Sequence, residues 1–329
     1  MPSPHPAAVL RALLLTAATP AIAQLPPPAQ QQQILTSPPA VDFSEADVLT
    51  WSSPVPDAIN VHLARAPGGT VLFDALRRSD QVEELFPLLE ATGGRPAAVL
   101  VTHAHTDHYG GLPFLRDRYP DLPIYGTEAI ATEIREDEWP DNENRRAMFG
   151  IRFATQAELD ENLPTEFVAD GEAFEVAGLR IVPYVMGASE SPAAVVYHLP
   201  DVGAAVVGDL VNVLTISAPM VSLGEWLAQL DRLAEVLPAE TTLYVGHGPS
   251  GPAGRLLADQ RAYLELLRGF VAEAASDGQG VSDAETEEIV WRMRVAYPHH
   301  RGAAFLPPEE LIAVSVGWVA EQLTGDRRR

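Results

Sequence analysis

The stretch Val99–Gly111, V-L-V-T-H-A-H-T-D-H-Y-G-G, constrains this chain more than any other. An apolar, β-type run, Ala97–Val101, stops at Thr102, and four side chains able to hold a metal follow within six residues: His103, His105, Asp107 and His108. In an extended exit from a strand, residues at i and i+2 point the same way, so His103 and His105 share a side. Gly110-Gly111 lets the backbone turn tightly into a helix start. Imidazole nitrogen and carboxylate oxygen are both ligands that zinc accepts. Three of nine histidines and an aspartate packed at one strand end mark a metal loop.

One short loop leaves a metal incompletely held, so further ligands are expected at other strand ends. Two such ends carry them. Val206-Val207-Gly208-Asp209 is a strand, a glycine and a carboxylate, and Gly246-His247-Gly248 follows the buried run Thr242–Val245.

H-x-H-x-D-H after a buried strand resembles the signature of the metallo-β-lactamase fold superfamily, and Thr102–His108 matches it without a gap. The resemblance implies an α/β protein, a four-layer αββα sandwich with ligands on strand-end loops along one edge. It implies two Zn²⁺ per chain, with iron or manganese as alternatives, and Asp209 bridging them. It further gives Asp74, at the end of Thr70–Phe73, a supporting role behind the metal loop. Families such as glyoxalase II and the lactonases place a histidine between Asp107 and Asp209, but this chain has none between His108 and His198. It has Gly187-Ala188-Ser189-Glu190-Ser191-Pro192 instead, similar to the Glu-x-Pro turn of the alkylsulfatase branch. The expected shell is therefore His103, His105 and Glu190 on one metal, and Asp107, His108 and His247 on the other. Three carboxylates against two Zn²⁺ leave a formal charge of about +1, which predicts a raised pKa for metal-held water and an alkaline optimum.

The implied function is an exported binuclear zinc hydrolase that uses a metal-bridging hydroxide on an ester, lactone, sulfate ester or related bond, with Asp107 as the catalytic carboxylate. The alternatives are a mononuclear-iron oxidoreductase on the same fold, a β-lactamase, and a non-catalytic metal-binding protein. No cysteine and no Ser-His pair near the site offers a covalent route.

Charge narrows the partners. With 45 acidic against 22 basic residues, all of them arginine, the net charge of −23 repels a phosphate backbone and disfavours nucleic acid. A small-molecule substrate is expected, with no stable membrane anchor. Ala7–Ala21 is an apolar Leu- and Ala-rich run ending in Ala21-Ile22-Ala23, which reads as a signal peptide over residues 1–23, cleaved after Ala23 on the way to the periplasm or exterior. Residues 24–40 are a Pro- and Gln-rich tether. The catalytic domain occupies 41–329, with C-terminal helices over about 252–325.

Within that domain, Ile59–Leu63 and Thr70–Phe73 read as paired strands, and Ser79 as the N-cap of a helix to Glu90. Glu128–Leu163 starts helical and then reads as a loop or lid, with Trp139, Met148 and Phe149 as candidate substrate contacts. Five strand-like segments from Thr165 to Val207 and an amphipathic helix, Gly224–Leu237, follow.

Overall fold

A computed structural model describes residues 47–54, 59–136, 141–278, 280–303 and 306–325. The expected leader, the tether and Trp139 lie outside these residues.

Two six-stranded sheets form the centre. The first runs β1 (Val48–Ser52), β2 (Asn60–Ala66), β3 (Gly69–Phe73), β4 (Ala98–Leu100), β5 (Ile124–Gly126) and β6 (Glu166–Phe167), in that spatial order. β1 to β3 are antiparallel, and β3 to β6 are parallel, with helices crossing between them. The second sheet contains β7 (Phe174–Val176), β8 (Leu179–Met186), β9 (Ala194–Leu199), β10 (Ala204–Gly208), β11 (Thr242–Val245) and β12 (Gly251–Pro252), again in sequence order across the sheet. Only β10 and β11 pair in parallel there, and both end at the metal-loop edge.

Alternation in β9 and β10 explains the layering. Val195, Tyr197, Leu199 and Val206 enter the core shared with Val61, Leu63, Phe73 and Val99 of the first sheet. Their neighbours Ala194, Val196, Ala205 and Val207 face a second core beneath helices. A strand buried on both faces reads as a continuous apolar run, as A-A-V-V does here. The outer helices over the first sheet include α1 (Ser79–Ala91), which buries Val82, Leu85 and Leu89. Over the second sheet lie α7 (Leu223–Val236), α8 (Ala253–Ala274), α9 (Asp283–Ala296) and α10 (Pro308–Thr324). The order helix, sheet, sheet, helix is the expected αββα sandwich. None of the helices among the described residues is long and apolar enough to cross a membrane.

Two expectations need correction. Ser79 is the first helical residue and not the cap: Arg78 holds the extended cap conformation, and Gln81 Oε1 accepts from the Arg78 and Arg77 amides at 3.1 and 3.3 Å. Gln81, three residues into the helix, thus reaches back to the amides at its entry. Beyond its helical start, α4 (Glu128–Glu136), the segment read as a loop or lid up to Leu163 also carries helices, α5 (Asp141–Phe149) and α6 (Gln156–Asp160). α4 earns its place by burying Ile130, Ala131 and Ile134 on one face, and Thr155 and Glu158 close α6 with a reciprocal capping box.

Candidate metal centre

The loop after β4 is fixed before any ligand is considered. Val195 donates to the Thr102 carbonyl at 2.8 Å, and the Tyr197 hydroxyl donates to the Val101 carbonyl at 2.9 Å. His103 forms an isolated antiparallel bridge with Ala194. The two sheets are thus stitched together where the metal loop leaves. On the other side, Ile59 bridges His247, and the Asn60 amide donates to the Gly246 carbonyl at 2.8 Å. His62, held neutral by burial that drives its pKa down to about 4, contacts the Val245 carbonyl at 3.1 Å.

From these supports the predicted ligands converge. His103, His105 and Asp209 form one triad, and Asp107, His108 and His247 the other, each with ligand atoms within 4.8 Å of one another. Asp107 and His108 lie in a one-turn helix, α2 (Thr106–Tyr109), that follows His105 directly. Asp209 Oδ2 lies 3.7 Å from His103 Nε2, 3.5 Å from His108 Nε2 and 3.4 Å from His247 Nε2, so one carboxylate oxygen faces imidazoles of both triads. Ligand bonds of about 2.0–2.1 Å in a tetrahedron put donor atoms about 3.4 Å apart. The observed separations match that edge.

Buried His103 Nε2, His108 Nε2 and Asp209 Oδ1 make no hydrogen bond. Unpaired buried polar atoms cost roughly 1–3 kcal/mol each, and a shared metal is what this set of donors fits. The family model "Metallo-beta-lactamase superfamily" matches residues 54–247, the segment that contains every one of these ligands. The chain belongs to the metallo-β-lactamase superfamily.

Among relatives, hydroxyacylglutathione hydrolase of Xylella fastidiosa is 52% identical over 44 residues, 13% of this chain and 17% of that enzyme. The chain therefore matches less than a fifth of that curated relative's length. A metallo-beta-lactamase family protein of Thermus thermophilus aligns in structure at 19% identity and TM-score 0.60, covering 85% of this chain and 94% of the other. A beta-lactamase domain protein of Burkholderia ambifaria gives 20% identity, TM-score 0.61 and coverage of 86% and 88%. These two likenesses concern the fold.

Glu190 joins neither triad of this metallo-β-lactamase-fold site; its Oε2 accepts from Asn212 Nδ2 at 3.1 Å. Asn212 also donates to the Asp209 carbonyl at 3.0 Å, which places Glu190 beside Asp209. Burial and then the Asp209 carboxylate push the Glu190 carboxyl well above the usual range. Asp74 lies behind the metal loop, where Oδ2 meets His108 Nδ1 at 2.8 Å and Oδ1 accepts from the Thr102 amide at 2.8 Å. That contact leaves His108 Nε2 facing the centre, the arrangement metal-bound histidines require. Met148 is 48% exposed, and Phe149 stacks on Phe153 with the Arg78 guanidinium 5.2 Å over its ring. The helix carrying them is tied to the metal loop through Tyr109 Oη, which donates to Asn142 at 3.1 Å.

Sequence reasoning missed Arg77. Only 4% exposed, it sets Nη2 3.0 Å from Asp107 Oδ2. Burial would raise the Asp107 pKa, but Arg77, and then His247 and His108, hold the carboxyl well below its ordinary value. The guanidinium also returns a positive charge to a centre reckoned at about +1 without it, so the electrostatic ground for an alkaline optimum is weakened. Its sequence signal is slight, an arginine three residues past Asp74. A second missed feature is Tyr263 on α8, whose hydroxyl is buried without a hydrogen bond and whose pKa is raised by burial, Tyr297 and Glu190.

Proposed function

We propose that the protein is a binuclear metal-dependent hydrolase of a small substrate with an ester, lactone or sulfate ester bond, with zinc as the metal. The supporting observation is the pair of triads around one shared carboxylate, with buried ligand atoms that pair with nothing else. His103, His105 and Asp209 would hold one ion, and Asp107, His108 and His247 the other. Glu190, beside Asp209 on the Asn212 amide, is proposed to complete the first ion's shell. When bound, two divalent ions supply Lewis acidity and a water of lowered pKa.

The residues do the rest. Asp74 fixes the His108 ring, and Thr102 Oγ1, 3.0 Å from His103 Nδ1, does the same for His103. Asp107 stays ionised at neutral pH because of Arg77, so it orients a hydroxyl proton rather than carrying it away. The local likeness to hydroxyacylglutathione hydrolase supports hydrolysis as the reaction class. Export is likewise proposed, on the apolar run and A-x-A site before Gln24; a chain recovered from cells with Met1 still attached would refute it.

The test is a panel of aryl ester, lactone and aryl sulfate, run on zinc-loaded, chelator-treated and Asp107→Asn protein. At least one substrate should turn over, chelation should abolish the reaction, and Asp107→Asn should lower kcat about 10²–10⁴-fold. Turnover unchanged by chelation would overturn the reading.

A further inference from the structure

Asp74-Ala75-Leu76-Arg77 is wound tightly beneath the metal loop. Asp74 and Leu76 both adopt φ of 63°, the left-handed region that side chains other than glycine rarely occupy. The segment is laced to the loop by backbone hydrogen bonds, Ala75 to the His108 carbonyl at 2.8 Å and Gly111 to the Leu76 carbonyl at 3.0 Å. Its approach is so close that a Cβ on Gly110 would lie 2.6 Å from the Arg77 carbonyl, and one on Gly111 1.9 Å from that of Ala75. The winding delivers two opposite charges to two consecutive loop residues. Asp74 reaches His108 at 2.8 Å, and Arg77 reaches Asp107 at 3.0 Å.

We propose that Arg77 is a positioning residue of the metal centre: its guanidinium fixes the Asp107 carboxylate in the orientation the second metal needs, as Asp74 fixes His108. Without it, the buried Asp107 carboxylate would lose the contact that fixes its direction and would turn. Arginine suits the place because its fork stays charged and fixes direction, whereas a lysine would supply charge alone. The two left-handed residues are the cost of bringing both prongs to the loop from one four-residue turn.

This inference rests on the metal-centre reading above. The experiment compares Arg77→Gln and Arg77→Lys, each alone and in an Asp107→Asn background, loaded with Zn²⁺ alone. Zinc per chain and the rate of zinc transfer to a chromogenic chelator are measured, together with unfolding midpoints of the metal-free proteins. Arg77→Gln should release zinc about 10-fold to 100-fold faster than wild type. Arg77→Lys should fall between the two, and neither change should add to Asp107→Asn. Zinc release from Arg77→Gln at the wild-type rate would overturn the proposal, and so would equal acceleration in the Asp107→Asn background, which is what a merely structural arginine gives. Should Arg77→Gln not fold, Arg77→Lys carries the same comparison. A wild-type chain that takes up no Zn²⁺ would sink the metal-centre reading instead. The midpoints of the metal-free set then decide for Arg77: non-additive losses uphold its hold on Asp107, and additive losses refute it.

Discussion

Gly246→Ala should strip the metal centre while leaving the fold standing. A Cβ at this position would lie 2.1 Å from Asp209 Oδ1 and 2.7 Å from His108 Cε1, distances no packed structure tolerates. The clash falls on the shared carboxylate and on a ligand of the other triad at once. The core strands on either side are untouched, so the displaced groups are the ligands themselves. A shift of about 1 Å in such groups costs on the order of 10²-fold in rate. Zinc per chain should drop to less than half the wild-type value, with a circular dichroism spectrum unchanged. Gly269→Ala is the matched control, because its added methyl meets open space on α8 and should stabilise the helix by about 0.5–1 kcal/mol. A Gly246→Ala protein with full zinc content would show that the centre is looser than these contacts describe.

Zinc uptake by metal-free protein should release protons and should strengthen steeply with pH. Burial opposes a charge on His247, yet Asp209 and Asp107 raise its pKa to about 10. His108 is raised as well, by Asp209 and Asp74 against burial, and Glu190 is raised by burial and Asp209. His247 holds a proton at neutral pH that a metal must displace, and the upward shifts of His108 and Glu190 act in the same direction. The sign for stability follows from the raised imidazoles. Their contribution is fully present below the ordinary histidine value near 6.5 and is lost as pH rises toward about 10, so the metal-free protein should melt progressively lower over that window. Zinc-loaded protein, with the metal in place of the protons, should not. Calorimetric titration in buffers of different ionisation enthalpy should report at least about one proton released per chain, from His247. Zinc binding independent of pH between 6 and 9 would contradict this account of the charges.

The metal loop was legible because its chemistry is local. His103, His105, Asp107 and His108 lie within six residues, and a strand exit fixes their directions whatever the rest of the chain does. Asp209 and His247 were legible for a related reason: each follows a β-type run, and the two strands, parallel neighbours, end at the same edge. The sandwich followed from runs such as Ala204–Val207, which only a strand covered on both faces can carry. Arg77 was not legible, since nothing in L-R-R-S distinguishes the arginine aimed at the metal loop from its neighbour Arg78, which pairs with Asp80. Its role depends on left-handed turns at Asp74 and Leu76, which sequence pattern does not announce. Helix α5 was missed because its sequence, D-N-E-N-R-R-A-M-F, is mostly polar. Asn142 ties it to Tyr109 across 33 residues, a contact that only the folded chain reveals. Glu190 lies between these cases. The sequence placed it near the centre, and the structure sets it on the Asn212 amide next to Asp209 rather than within either triad.

Two triads flanking the Asp209 carboxylate should hold two ions. Metal content per chain of the purified protein, by elemental mass spectrometry, decides between one ion and two, with Glu190→Ala measured alongside. About two zinc ions per wild-type chain are expected, one for each triad, falling to about one when Glu190 is removed. A single iron per chain, indifferent to Glu190, would contradict this reading and point to oxygen chemistry on the same fold.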